Sequence, residues 1–298
     1  MSYTESGCIA NCSFCAQARD YQGNDKLLSR VTWPSYELEE IIYGLKKPLK
    51  SDFQRICIQV INYQGFKEDT IKLVKLLSSN TKLPISVDIC PVDIDTLKRL
   101  KEAGVERISI PLDGATPEIF NQIKGKDVNG PYQWNSHLKS LYEALEVFGN
   151  GNIGTNLIIG LGETETQAVE LIQTLYVKNI ETILFAFTPI QGTKLEDKQQ
   201  PNISSYRRIQ IARHLISKNL TTYKDFRFNE KGEITEFGVE NFNEILKDGK
   251  AFQTTGCPGC NRPFYNESPS GPFYNYPRPL TDEEVRKELE ELGVTKDE

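Results

Sequence analysis

Five short apolar runs punctuate the chain: "RICIQVI" (55–61), "PISVDI" (84–89), "ERISIPL" (106–112), "NIGTNLIIG" (152–160) and "TILFAF" (182–187). Their length and their β-branched content predict strands. The residues just before Cys8 supply the stub of a further first strand, making six. Between the runs the apolar spacing changes to a period near 3.6. "IDTLKRLKEAG" (94–104) and "QWNSHLKSLYEALEVFG" (133–149) each end on a glycine, a common C-terminal stop of a helix. "ETQAVELIQTLYVK" (165–178) and "SYRRIQIARHLISK" (205–218) continue the alternation. Strand–helix repetition of this kind predicts an α/β fold with a parallel sheet and helices outside it. Such sheets bind ligands at the C-terminal ends of their strands.

After residue 218 the character changes, which divides the chain into 1–218 and a C-terminal extension, 219–298. "FRFNEKGEITEFG" carries the turn signal of a hairpin. Residues 251–280 are rich in Pro, Gly, Asn and Tyr, and "PFYN" occurs at 263–266 and again at 272–275. An acidic helix is expected from Thr281, with Asp282, Glu283 and Glu284 in its first turn, where carboxylates favour the positive end of the helix dipole. No run approaches the ~18 apolar residues of a membrane span. The first residues show no signal-peptide pattern, so a cytoplasmic protein is expected. A net charge of −6 argues against a general nucleic-acid binder.

In a reducing compartment clustered cysteines bind metal or do chemistry rather than form disulfides. Of the seven cysteines, Cys8, Cys12 and Cys15 fall in "GCIANCSFCAQAR" (7–19), spaced C-x3-C-x2-C. A zinc site takes four ligands and usually pairs two C-x2-C units, which leaves a degenerate zinc loop as the weaker alternative. Three thiolates on one loop suit a cubane iron–sulfur cluster with one iron open to a small molecule.

With "IIGLGET" following the fifth apolar run, this loop resembles that of the radical S-adenosylmethionine (SAM) superfamily. The resemblance implies a partial (β/α)6 TIM barrel. It also implies a [4Fe–4S] cluster on Cys8, Cys12 and Cys15, SAM chelated to the fourth iron, and a 5′-deoxyadenosyl radical that abstracts hydrogen from an unactivated carbon. The protein would supply orientation and exclude water. "FCAQAR", "LKRLKEAGVERISIPLDGATPEIF" (97–120), "LIIGLGET" (157–164) and "QGTKL" (191–195) are similar to the biotin synthase–lipoyl synthase group over nearly the whole barrel. That likeness implies SAM contacts from Phe14 and Ile158 beside the adenine, Asp113 on the ribose, and Val60 at the end of its strand. Core packing for Val60 and Ile158, and a helix cap or turn role for Asp113, are the alternatives.

The departures from biotin synthases matter. That family builds a second cluster on three strand cysteines and an Arg. Cys57 matches the first of these, but Ser86 and Gly154 stand at the other two. Pro111 and Phe185 replace asparagines that grip the precursor's ureido ring, and Asn156 replaces the first glycine of the adenine motif. Cys57, Cys90, Cys257 and Cys260 remain, so that seven divides into three plus four. The tail (254–279), with "GCPGC", resembles that of archaeal proteins often labelled biotin synthases, which look like two-component lipoyl synthases. Cys90 ends the "PISVDI" strand on the face of Ser86 and Asp88 by strand alternation, at the C-terminal rim of the sheet; a sulfur donor must lie close to a short-lived radical, so the tail is expected to fold over the barrel mouth and bring Cys257 and Cys260 to Cys90. A second [4Fe–4S] cluster forms there, completed by Cys57, Ser268 or Ser270. The alternatives are a redox pair or zinc half-site for C-x2-C, a buried apolar Cys57, and simple turn serines.

His137 and His214 are read as surface or helix-packing residues. Arg207 and Arg208 are read as a solvated face, with a substrate carboxylate as the other reading. Tyr265, Tyr274 and Tyr276 are read as packing the tail, or as a lid. The function expected from the resemblance is sulfur insertion into a protein-bound octanoyl group. Its partners would be an octanoylated carrier protein or peptide, a companion radical SAM subunit and an electron donor such as ferredoxin. Sulfur insertion into dethiobiotin, or an iron–sulfur protein without catalysis, are the alternatives.

Overall fold

The computed structural model describes residues 7–24, 27, 30–47, 53–260, 262, 263, 267, 268 and 270–292. Each apolar run forms a strand: β1 (Ile56–Gln59), β2 (Ile85–Asp88), β3 (Val105–Ser109), β4 (Ile153–Ile159) and β5 (Glu181–Ala186). They are parallel, in the order β1-β2-β3-β4-β5. The stub expected before Cys8 lies outside the described residues. Ile9 N–H donates to the Asn62 carbonyl just beyond β1, so the cysteine loop begins beside the end of that strand.

Helices connect the strands on the outside. They are α1 (Leu38–Leu45), α2 (Phe66–Ser78), α3 (Ile94–Ala103), α4 (Pro117–Ile123), α5 (Trp134–Phe148), α6 (Glu165–Tyr176) and α7 (Ile203–Ser217). The glycine stop after α3 is real: Gly104 has φ 115°, and its N–H caps the Leu100 and Lys101 carbonyls. α4 starts on the Thr116 hydroxyl with Pro117 inside its first turn. Sequential parallel strands with outer helices make this a partial β/α barrel. Ile85, Val87, Ile108, Leu157 and Leu184 are buried in its core. Among the described residues no helix is long and apolar enough to cross a membrane.

The extension shares this core. A hairpin of β6 (Arg227–Phe228) and β7 (Ile234–Glu236) follows α7, then α8 (Phe242–Leu246) and a final helix, α9 (Asp282–Glu291), capped by Thr281 and Glu284. Tyr206 and Tyr274 meet edge to face, and Tyr276 is buried, so these tyrosines pack the tail; Tyr265 lies outside the described residues. The tail also caps the free edge of β5. Thr255 Oγ1 accepts from Leu184 N–H at 2.9 Å, and Arg262 donates to the Leu184 carbonyl at 2.5 Å. An edge strand left bare would present unpaired backbone groups.

Arg207 is not on a solvated face. It is fully buried, pairs with Glu288 of α9, and donates to Gln210 Oε1 and the Tyr274 carbonyl at 2.7 and 2.6 Å. Arg208 pairs with Glu165 at 2.6 Å. Truncating one partner of a buried pair strands the other charge. Arg207→Met is therefore expected to destabilise the fold by about 3–5 kcal/mol, measured by urea unfolding. A loss below about 1 kcal/mol, the worth of an exposed pair, would contradict this account.

Candidate active site

The cysteine loop is a chain of tight turns, with Cys15 N–H donating to the Cys12 carbonyl and Ala18 N–H to the Cys15 carbonyl, each at 3.1 Å. Two other elements hold it. Ser13 N–H donates to the Ile123 carbonyl at the end of α4 (2.7 Å), and Leu195 N–H of "QGTKL" donates to the Ser13 carbonyl (3.2 Å). Gly192, at φ 85°, lets that segment approach: a Cβ there would lie 2.9 Å from Gly23 N.

Burial pushes the Cys12 thiol up beyond the ordinary range and Cys15 up to about 11, and the charges of the neighbouring cysteines push the same way. Buried sulfurs that raise one another need a cation to ionise, and a coordinating metal supplies it. Three thiolates on one loop would suit a cubane, which places each on its own iron.

Beside the loop is a cavity of about 190 Å3 whose wall includes Phe14, Cys15, Asp113, Ile158 and Phe187. Phe14 and Ile158 pack on a small apolar cluster of Ile119, Ile123, Leu161 and Phe187. The loop after β4 is shaped by Glu163, whose carboxylate accepts the N–H groups of Gly160, Leu161 and Gly162 at 2.6, 3.0 and 3.1 Å. Asp113 is buried at φ 64° and bonded to Lys124 Nζ at 2.6 Å. Its helix-cap reading fails, because Thr116 caps α4.

Three of the four residues expected at SAM therefore line one cavity. The fourth does not. Strand alternation points Cys57 and Gln59 inward, so Gln59 lines the cavity while Val60 packs against the core.

A second cavity, of about 90 Å3, is lined by Arg55, Cys57, Ser86, Ser109, Cys257 and Cys260 among others. Ser86 Oγ is 3.2 Å from Cys257 Sγ. In "GCPGC" both glycines have positive φ, 107° and 73°, and Cys260 N–H closes a turn on the Cys257 carbonyl. A Cβ on Gly259 would sit 2.7 Å from Gln54 Oε1, just before β1. The C-x2-C thus spans from the edge of β5 to the entry of β1.

The expected meeting with Cys90 is not seen in this cavity. Cys90 is not in this cavity, because β2 ends at Asp88 and alternation no longer governs the residues beyond it. It sits instead with Tyr132, Lys124 and Cys8. Ser268 and Ser270 are exposed and bond to each other at 2.8 Å. Cys57 is open to the cavity rather than packed as an apolar residue. Gly154 has no space for a ligand side chain: a Cβ would meet Ile183 at 2.9 Å and Ser109 at 3.1 Å.

Gln59, Asp88, Asn156 and Phe185 line both cavities and so form the layer between them. Asp88 Oδ2 accepts from Asn156 Nδ2 at 3.0 Å, while the buried Oδ1 has no partner among the described residues. Burial raises its carboxyl to about 7. Counting inward positions from Cys57 and Ser86 leads to Gln59 and Asp88. Counting from Ile158 leads likewise to Asn156, whereas Lys124 carries no such signal. His137 and His214 are buried helix-packing residues, and burial lowers His137 to about 2.

Residues 3–175 match the Radical SAM superfamily. The chain is also similar to the biotin synthase of Sulfurihydrogenibium sp. (strain YO3AOP1), 27% identical over 256 residues, covering 84% of this chain and 69% of that one. Against the biotin synthase of Persephonella marina (strain DSM 14350 / EX-H1) it is 28% identical over 197 residues, covering 65% of this chain and 55% of that one. Among solved structures, methylornithine synthase shares the fold, with a TM-score of 0.55 at 15% identity over 72% of this chain and 60% of that one. The matched segment covers more than half of the chain and carries the cysteine loop, the Asp113 turn and the Gly160–Glu163 loop together, so this protein belongs to the radical SAM superfamily.

Proposed function

We propose that this chain inserts sulfur at unactivated C–H bonds of a protein-bound octanoyl group, as one subunit of an archaeal-type lipoyl synthase. The observation that carries the reading is the second set of thiols, Cys57, Cys257 and Cys260, in a cavity that shares a wall with the one beside the cysteine loop. When bound, the first cluster and SAM supply one-electron cleavage of the sulfonium and hydrogen abstraction, and a second cluster on the other thiols supplies sulfur.

The chain's own residues do the rest. Cys8, Cys12 and Cys15 hold the first cluster. Phe14 and Ile158 hold the adenine, and Asp113, kept in place by Lys124, binds the ribose. Phe185 lends the shared wall an apolar face, suited to an alkyl chain and to excluding water. A carbon radical is short-lived, so its sulfur donor must already be adjacent. Two cavities with a common wall meet that requirement. The companion subunit, the carrier and a ferredoxin-like donor belong to this proposal.

A second reading, dethiobiotin as substrate, is favoured by Asp88 Oδ1, which has no partner among the described residues and suits an N–H donor, and by the similarity to biotin synthases. An anaerobic assay by mass spectrometry distinguishes them, using octanoyl-lysyl peptide and dethiobiotin separately, with and without the companion subunit. Thiolated octanoyl product is expected with the companion present. Thiolated dethiobiotin alone would move the assignment to the second reading, and the absence of both products would refute sulfur insertion.

A further inference from the structure

We propose that Lys124 is a fixed positive charge that raises the reduction potential of the N-terminal cluster. The inference rests on membership of the radical SAM superfamily and is independent of which substrate receives sulfur.

Lys124 directly follows Ile123, whose carbonyl accepts the Ser13 N–H from within the C-x3-C-x2-C loop. A second bond, Asn11 Nδ2 to the Val128 carbonyl at 2.8 Å, ties the same loop to the turn just beyond Lys124. The cysteine loop is thus moored on both sides of this lysine. Its side chain is 5% exposed. Nζ donates to Asp113 Oδ2 at 2.6 Å and to the Pro111 carbonyl at 2.9 Å, and lies 5.0 Å from the centre of the Tyr132 ring and 5.6 Å from that of Phe120. Two hydrogen bonds and two ring faces leave the ammonium one position. Burial works against its charge, and the Asp113 carboxylate 2.6 Å away favours the charged ammonium.

The redox consequence comes from charge alone. Reduction adds one electron to the cluster and moves no proton at Lys124, so the reduced form is more negative by one charge. A cation in a low-dielectric site stabilises that form more than the oxidised one. The electron comes from an external one-electron reductant. An ion pair that only supported the fold would tolerate a neutral pair equally well and leave the potential where it was.

The test is a redox titration followed by electron paramagnetic resonance, without SAM, on the full chain reconstituted with iron and sulfide. Cys57, Cys257 and Cys260 are replaced by Ala throughout, so that a single cluster is read. Lys124→Met is expected to lower the midpoint potential by at least about 59 mV, a tenfold loss in the one-electron reduction equilibrium. Lys124→Arg is expected to restore most of it. If Lys124→Met does not take up iron, Lys124→Met/Asp113→Asn is compared with Asp113→Asn, a difference that again reports the ammonium alone and is expected to have the same sign. An unchanged midpoint in either comparison, with full iron content, would overturn the proposal.

Discussion

Replacing Cys57, Cys257 and Cys260 together with Ala is expected to lower bound iron from about eight to about four, the difference being one cubane. It should eliminate thiolated product while 5′-deoxyadenosine still forms. The three thiols share one cavity, and none of the three lines the other. Cys90→Ala is the informative contrast. Cys90 bonds to Tyr132 and does not line the cavity of the three thiols, so its loss should leave the iron content at about eight, that of two cubanes. Iron analysis and product mass spectra on the two variants read this directly. A triple variant that kept all its iron, or a Cys90 variant that lost half of it, would return the second cluster to the barrel mouth.

The second large effect is at the N-terminal loop. Cys8/Cys12/Cys15→Ala should abolish 5′-deoxyadenosine formation and remove about four irons, because these thiolates are the protein ligands of that cluster. The loop's backbone is held by Ser13, Asn11 and Ile9 through bonds that involve no cysteine sulfur. The variant should therefore stay folded, with wild-type circular dichroism. Any 5′-deoxyadenosine made by such a protein would remove the basis of the proposed chemistry.

Much of this was legible in the chain. All five apolar runs became strands, and the helices stopping at Gly104 and Gly149 ended there, because apolar period and left-handed glycine stops act within a few residues. The shorter connections were harder. α4 spans seven residues, too few for a period to show, and its Thr116 cap sits in a segment that also reads as a turn. Arg207 looked like surface because its partners, Glu288 and the Tyr274 carbonyl, come from a helix and a loop far along the chain.

The sequence by itself determined the alternation of strands and helices, the C-x3-C-x2-C loop and the Gly160–Glu163 turn. Each is encoded in residues that touch one another locally, and the parallel sheet then brings Phe14, Asp113 and Ile158 to one end. Only the tertiary structure decided where the second pair of cysteines goes. Cys257 is separated from Ser86 by 171 positions, yet their side-chain atoms lie 3.2 Å apart. Nothing local to "GCPGC" selects Cys57 over Cys90. That choice is made by the open edge of β5, whose unpaired backbone at Leu184 draws in Thr255 and Arg262 and carries the two thiols to the cavity that Cys57 lines. The same holds for Lys124, an ordinary lysine after a short helix, until the fold closes Asp113, Tyr132 and the cysteine loop around it.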